Sequence, residues 1–170
     1  VISLKKLVTL LGFTTLATLK LGFITMGWIA AFAVGIAGIY LLFKNWDKVW
    51  DIVSDLDNET KFWKGTKEIH NISKEGNVIN REVTIAFKDK KCMQKVTLYP
   101  KEKIEVLFTK GIINGVKIIN LSSIDNKTKL EAVWDIKLSG MMGMFTGMLS
   151  KHIKSGTEQA LQSIKEKVES

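Results

Sequence analysis

The chain has 170 residues, a formal net charge of +8 at pH 7 and a hydrophobic fraction of 46%. This length accommodates one domain and a short appendage. The single cysteine, Cys92, excludes an internal disulfide and a thiolate metal cluster. The two histidines, His70 and His152, are too few for a histidine-rich zinc site, and neither lies in a motif typical of a catalytic triad.

The positive charge comes almost entirely from lysines dispersed along the chain, and Arg81 is the only arginine. Arginine is the usual side chain for bidentate reading of bases, so specific recognition of nucleic acid is not expected. The same charge suits attraction to anionic lipid headgroups. Its simplest interpretation is a solvated basic surface.

Hydrophobic residues are concentrated near the N-terminus, where residues 7–43 contain one charged side chain, Lys20. Residues 21–43 are uncharged and long enough to cross a hydrocarbon core about 30 Å thick. We therefore expect residues 1–43 to form a hydrophobic, membrane-associated and transmembrane segment. A cleaved signal peptide is the alternative, although so long a stretch better suits an uncleaved anchor. The lysine distribution leaves the orientation open, and a cytoplasmic C-terminal domain is our working expectation.

Residues 44–170 have the charge density and the periodicities of one globular domain. Apolar residues at helical spacing between Val49 and Leu56 predict a short helix that Asn45 or Asp47 caps. Period-two alternation predicts a series of strands from residue 66 to residue 138. A long amphipathic helix that starts at Thr146 or Ser150 ends the chain. An antiparallel sheet that buries one face against one long helix is a two-layer α+β domain.

Two segments resemble the START-like superfamily, also called SRPBCC, which includes polyketide cyclases/dehydrases and coenzyme-Q-binding proteins. The string VWDIVSDLDNETKFWKGTKEI (49–69) is similar to the first-helix region of that superfamily, and residues 134–169 are similar to its last strand, loop and helix. The resemblance covers residues 45–169. It implies a helix-grip fold, in which a curved sheet wraps around the C-terminal helix and leaves a cavity for lipids, quinones, sterols, polyketides or other apolar molecules. Fold alone does not determine function, because some members are enzymes and many are carriers or binding proteins.

The resemblance also implies a strand immediately before the first helix, where this chain has the end of its hydrophobic stretch, GIYLLFKN (38–45). These residues cannot be both a strand and part of a membrane helix. Either they complete the sheet, or the sheet lacks its first strand. We favour the strand, with a membrane helix further upstream at residues 8–34. Lys20 would then lie inside the bilayer, at a cost of a few kcal/mol.

Ligand-facing candidates come from the inner faces of the strands and from the segments around the mouth of the expected cavity. From the sheet they are Val83, Ile85, Val96, Leu98, Val106, Phe108, Ile118, Trp134 and Ile136. From the mouth and its lid they are Phe62, Trp63, Met141, Met142, Phe145, Met148, Leu149 and Ile153. Ordinary core packing is the alternative for each sheet residue. The methionines and glycines of residues 139–148 suit a lid that repacks around a ligand, because methionine is adaptable, although a plain loop is an equal alternative.

Arg81 is the one polar side chain on a strand face that it shares with Val83 and Ile85. If it points inward, it needs a partner, because a buried charge is costly unless it is paired. Asp135, Glu131 or a carboxylate or carbonyl of a ligand could fill that role. The alternative is an arginine at the end of a strand that faces solvent.

These patterns predict a non-enzymatic protein that binds or carries a hydrophobic ligand, such as a lipid, a quinone or an isoprenoid-like molecule, at a membrane. No acid or base stands out on the inward faces, so we predict no catalytic residue, no metal and no cofactor. One alternative is a cyclase- or dehydratase-like enzyme that acts on an apolar substrate. The other is a protein-interaction module whose cavity is filled by its own side chains. The oligomeric state stays open.

Overall fold

A computed structural model describes residues 36–139 and 145–170. This part of the chain contains seven strands, two α-helices and a short 3-10 helix. In chain order they are β1 (Ile36–Phe43), α1 (Trp46–Ser54), the 3-10 helix (Leu56–Lys61), β2 (Thr66–Glu75), β3 (Val78–Ile85), β4 (Lys90–Tyr99), β5 (Lys103–Lys110), β6 (Ile113–Ile124), β7 (Lys127–Leu138) and α2 (Thr146–Glu169). The α+β architecture with a long C-terminal helix is confirmed.

The strands form one antiparallel sheet in the order β1-β7-β6-β5-β4-β3-β2. Register shifts interrupt the pairing of β1 with β7, of β2 with β3 and of β4 with β5. Such bulges bend a strand and increase its twist, which helps the sheet to curve. Between β6 and β7, Asp125 and Asn126 both have positive φ angles, of 48° and 58°. A tight hairpin turn requires this conformation, and these two residue types tolerate it well.

Strand β1 decides between the two interpretations of the hydrophobic stretch. Its residues pair with β7, Leu41 opposite Leu130 and Phe43 opposite Thr128, and Phe43 is buried. The favoured interpretation, in which this segment completes the sheet, is therefore confirmed. The prediction of a single membrane span over residues 21–43 is wrong, because the backbone of residues 36–43 pairs with β7 within the domain. The predicted membrane helix at residues 8–34 lies outside the described residues. Of the helices that are described, none is long and apolar enough to cross a bilayer.

The inner face of the sheet follows the predicted alternation in β3, β4, β5 and β7, but not in β6. Ile118 pairs with Glu105 on β5 and with Val133 on β7, on the outer face. Its neighbours Lys117 and Ile119 point inward, and Ile119 pairs with the buried Ile104. The prediction of an inward Ile118 is wrong because β6 carries apolar residues at both parities, so that its alternation does not reveal its inner face.

The two helices bury different parts of the sheet. Asn45 caps α1 by accepting a hydrogen bond from the backbone N–H of Lys48 at 2.9 Å. The C-terminal half of α2 packs against the sheet without leaving a cavity, and its side chains Ala160, Leu161 and Ile164 are fully buried. Burying a side chain such as Leu161 contributes about 1.5–3 kcal/mol. The N-terminal half of α2 is different, because it covers a space that side chains do not fill.

Candidate ligand cavity

A cavity of about 380 Å³ lies between the first half of α2 and the inner face of β3 to β7. Its apolar wall consists of Trp63, Ile85, Phe87, Val106, Phe108, Ile113, Trp134, Ile136, Leu149 and Ile153. Its polar lining consists of Glu59, Lys64, Thr66, Gln94, Lys117, His152, Ser155, Thr157 and Gln159. The volume falls in the range of small-molecule sites, about 300–1,000 Å³.

Eight side chains proposed from the sequence line this cavity together. They are Trp63, Ile85, Val106, Phe108, Trp134, Ile136, Leu149 and Ile153. Five of them come from the ends of β3, β5 and β7, Leu149 and Ile153 come from α2, and Trp63 precedes β2. Strand alternation identifies an inner face along its whole length, and it cannot tell which end of that face is open.

The other proposed residues lie elsewhere. Val83 and Val96 are buried in the closed core, and Leu98 borders a separate, more polar depression near Ile79. Phe62 is half-buried against the core. The ring centroid of Phe145 lies 4.9 Å from the Lys88 ammonium group, and the side chain of Met148 is exposed. Met141 and Met142, and with them most of the proposed methionine lid, lie outside the described residues.

A buried polar cluster, which consists of Glu59, Arg81, Gln94 and Lys117, borders the cavity. Glu59 Oε2 accepts from Arg81 Nη2 at 2.6 Å, and Glu59 Oε1 accepts from Lys117 Nζ at 3.0 Å. Arg81 Nε donates to Gln94 Oε1 at 2.9 Å. The exposed fractions are 8% for Glu59, 0% for Arg81 and 3% for Lys117. Three of the four side chains line the cavity, and Arg81 lies behind them.

Arg81 faces inward, as the first of the two interpretations expected, but its protein partners differ from the ones named there. It does not face solvent, and its partners are Glu59 and Gln94 rather than Asp135 or Glu131. Glu131 instead pairs with Lys129. The alternation of β3 correctly placed Arg81 on the inner face, and its burial required a carboxylate. That carboxylate was missed because it lies in a polar segment, LDNETK, whose composition is typical of an exposed turn.

The charges of the cluster set its protonation state. Burial on its own raises the pKa of the Glu59 carboxyl, but the charges and hydrogen bonds of Lys117 and Arg81 outweigh it and lower the pKa to about 2. Burial lowers the pKa of the Lys117 ammonium group, and its ion pair with Glu59 opposes this effect. Glu59 is therefore ionised near neutral pH and accepts hydrogen bonds from Arg81 and Lys117.

Two tryptophans hold the lysine of the cluster. The Lys117 Nζ atom lies 3.6 Å from the ring centroid of Trp63 and 5.1 Å from that of Trp134. The two rings meet edge to face, with centroids 6.2 Å apart. Trp134 Nε1 also donates to Thr157 Oγ1 at 3.0 Å, which connects β7 to α2 across the cavity wall. These cation–π contacts stabilise an ammonium group where little water can reach it.

The expectation that no acid or base faces the cavity is wrong. Glu59 borders it, and His152, which is exposed on α2, lines its rim together with Lys64 and Ser155. The chain lacks a signal that would have revealed His152, because a histidine on the exposed face of an amphipathic helix is common. Among residues 36–139 and 145–170, no group of three His, Cys, Asp or Glu side chains is arranged to hold a metal ion.

No protein-family model matches the chain, and no curated protein matches it by sequence. Solved structures do match. A protein of Thermus thermophilus has a TM-score of 0.67 at 11% identity, over 79% of this chain and 96% of that one. The Zhui aromatase/cyclase of Streptomyces sp. R1128 has a TM-score of 0.64 at 12% identity, over 79% of this chain and 93% of that one. A START superfamily protein of Mycobacterium smegmatis has a TM-score of 0.55 at 14% identity, over 75% of this chain and 97% of that one.

These likenesses establish a shared architecture and leave the activity of this chain open, because sequence identity is low throughout. The sheet, the first helix and the C-terminal helix appear in the order that the sequence resemblance implied. The chain therefore has the START-like, or SRPBCC, helix-grip fold.

Proposed function

We propose that this protein binds a compact hydrophobic molecule between α2 and the sheet, and that it acts as a binding or carrier protein. The observation that carries the proposal is the cavity of about 380 Å³, whose wall is built from apolar side chains of four strands and α2. Each 100 Å² of apolar ligand surface that leaves water there contributes about 2.5 kcal/mol. The volume suits a ring system, a short chain or the head-group end of a lipid, a quinone or an isoprenoid-like molecule.

The second candidate is a cyclase- or dehydratase-like enzyme. Its support is the presence of Glu59 and Lys117 at the cavity, together with the aromatase/cyclase among the structures that share this fold. A general acid or base is most effective when its pKa lies near the working pH. The pKa of Glu59, about 2, keeps the carboxylate ionised and paired. This argument favours binding over catalysis.

A membrane location is a further part of the proposal. It is supported by the uncharged residues 21–35, which precede β1, and by the net charge of +8. Attachment would raise the effective concentration of a ligand that itself resides in a bilayer. Flotation of the full chain with vesicles that contain anionic phospholipid tests this part. We expect the protein to float with the vesicles, and protein that stays in the dense fraction would contradict the proposal.

The main experiment is native mass spectrometry of the full chain, isolated from a membrane-containing host, with analysis of extracted small molecules. A co-purifying apolar compound is the expected result. Gly156 offers a blocking variant, because it lines the cavity and a Cβ added there meets no atom within 4 Å. Gly156→Trp should lose the compound. Ser163→Trp, at an exposed site on the same helix, is the matched control and should retain it.

Two outcomes would contradict binding in this cavity. One is a wild-type protein that carries no compound and binds none of a panel of apolar probes. The other is a compound that stays bound in Gly156→Trp at the wild-type level, because that ligand would occupy a different site. Product formation from a candidate substrate would instead favour the enzyme.

A further inference from the structure

We propose that the ligand of this cavity carries one negative charge, such as a carboxylate, at the end that reaches the polar cluster of Glu59, Arg81, Gln94 and Lys117. The inference rests on the proposed ligand-binding function and narrows it to amphipathic anions. A ligand of this kind has an apolar body for the wall of the cavity and an anionic group for the cluster.

The charge of the polar cluster favours an anionic ligand. When Lys117 is protonated, Arg81 and Lys117 contribute two positive charges and Glu59 contributes one negative charge, so the sum is +1. All three side chains are less than one-tenth exposed. A buried charge is unfavourable unless it is paired, because the protein interior solvates it poorly. A single anionic group in the adjacent cavity would balance the sum.

The polar cluster has more hydrogen-bond donors than acceptors. Arginine has five N–H donors and lysine has three, whereas the acceptors of the cluster are the Glu59 carboxylate and the Gln94 carbonyl oxygen. Arg81 Nη1 is buried and has no hydrogen-bond partner among the described residues. The Glu59 and Gln94 bonds occupy Nη2 and Nε of the same guanidinium. Arg81 lies behind the lining residues, so an incoming carboxylate would accept from Lys117 and Gln94, the donors of the cluster that face the cavity.

Two side chains of the polar cluster can be reached from the cavity. Lys117 and Gln94 line the cavity, so an ammonium group and an amide face the space in which a ligand would lie. Lys117 uses one of its hydrogens for Glu59, and the edge-to-face tryptophans hold the ammonium group at the cavity wall. Charge-assisted hydrogen bonds from such a group are about twice as strong as neutral ones.

The wild-type protein provides the first test. Decanoate and decan-1-ol have the same chain and differ in the charged end, and their binding to the full chain can be measured by calorimetry at pH 7. We expect decanoate to bind at least tenfold more tightly. Equal binding, or tighter binding of decan-1-ol, would overturn the inference and leave the proposed function intact. If neither compound binds, the inference is overturned for chain-like ligands, and the native mass spectrometry and the panel of apolar probes decide the proposed function separately.

Variants provide the second test, with the ratio of the two affinities as the readout. Lys117→Met reduces the charge of the cluster to zero and should lower the preference for decanoate at least fivefold. Glu59→Gln removes the negative charge and should leave that preference equal or greater. Lys95→Met makes the same charge change at an exposed lysine of β4 and should leave the ratio within twofold.

Circular dichroism identifies variants that fail to fold. Because Lys117→Met is expected to lower the ratio and Glu59→Gln is not, a general loss of structure cannot mimic the pattern. An unchanged ratio in Lys117→Met, or a lower ratio in Glu59→Gln, would overturn the inference. If one variant does not fold, the ratio of the two affinities in the wild type and in the other variant tests the inference.

Discussion

Glu59 and Arg81 join two distant parts of the chain inside the domain, with Oε2 of Glu59 2.6 Å from Nη2 of Arg81. The first belongs to the 3-10 helix and the second to β3. Because Lys117 on β6 binds the other oxygen of the same carboxylate, one short helix is attached to two separate strands. The pair therefore holds the segment before Trp63, which forms part of the cavity wall.

Removing one partner of this pair should destabilise the domain strongly. Arg81→Met keeps an unbranched apolar chain of similar length but removes one of the two cationic partners of Glu59 and the partner of Gln94. Breaking a buried ion pair from one side costs about 3–5 kcal/mol. Urea unfolding of the variant measures this cost. The control is Lys91→Met, which breaks the exposed ion pair with Glu82 and should leave the unfolding midpoint unchanged. Equal midpoints for the two variants would contradict the prediction.

The low pKa of Glu59 predicts an acid-sensitive contribution to stability. Its folded pKa of about 2 lies below the usual value of 4.5, so the unfolded chain takes up this proton first as the pH falls. The stabilisation is fully present above about pH 5 and is lost as the pH falls toward about 2. Urea midpoints between pH 6 and pH 2.5 should therefore fall more steeply for the wild type than for Glu59→Gln. Parallel curves would show that Glu59 makes no such contribution.

The absence of a side chain at Gly156 should lower the stability of α2 and leave room in the cavity. Glycine inside a helix is less favourable than alanine by about 0.5–1 kcal/mol, and an added Cβ at this position meets no neighbour. Gly156→Ala should therefore raise the melting temperature by a few degrees. A lower melting temperature would show that the position is crowded. Since Gly156 lines the cavity, we also expect the variant to bind bulky ligands more weakly.

The Trp134–Thr157 hydrogen bond should couple β7 to α2. Thr157 is buried, so Trp134→Phe leaves its hydroxyl without this partner at a cost of about 1–3 kcal/mol. Thr157→Val removes the hydroxyl from the other side. A double-mutant cycle measured by urea unfolding should show that the combined variant loses less stability than the sum of the single variants. Strict additivity would contradict a direct coupling.

Sequence patterns predicted most of the fold because the pleat of a strand is regular. Val83 and Ile85 on β3, and Val106 and Phe108 on β5, face inward as their alternation requires. The inner face of β6 was predicted wrongly because Val116 and Ile118 are as hydrophobic as Ile119, which lies on the opposite face. There the pairing with β5 and β7 decides the face, and a single strand does not reveal its partners.

The site was harder to predict than the fold, for two physical reasons. Its wall is a subset of the inner face, and the choice of subset depends on where α2 stops filling the sheet. Its polar cluster combines Glu59, Arg81 and Lys117 from a short helix and two strands, 22 to 58 residues apart. Only tertiary packing brings such residues together. Local composition gives no signal for either residue, because Glu59 lies in a short polar segment and Lys117 is one of many lysines dispersed along the chain.

The central claim is that an apolar ligand occupies the space between α2 and the sheet. The most direct measurement is a crystal structure of the full chain soaked with 1-bromonaphthalene, a compact and uncharged probe. We expect an anomalous bromine peak inside the cavity, within contact distance of Phe108 and Ile153, which both line it. A cavity closed by its own side chains, or bromine bound only at the outer surface, would refute ligand binding at this site and favour the interaction module.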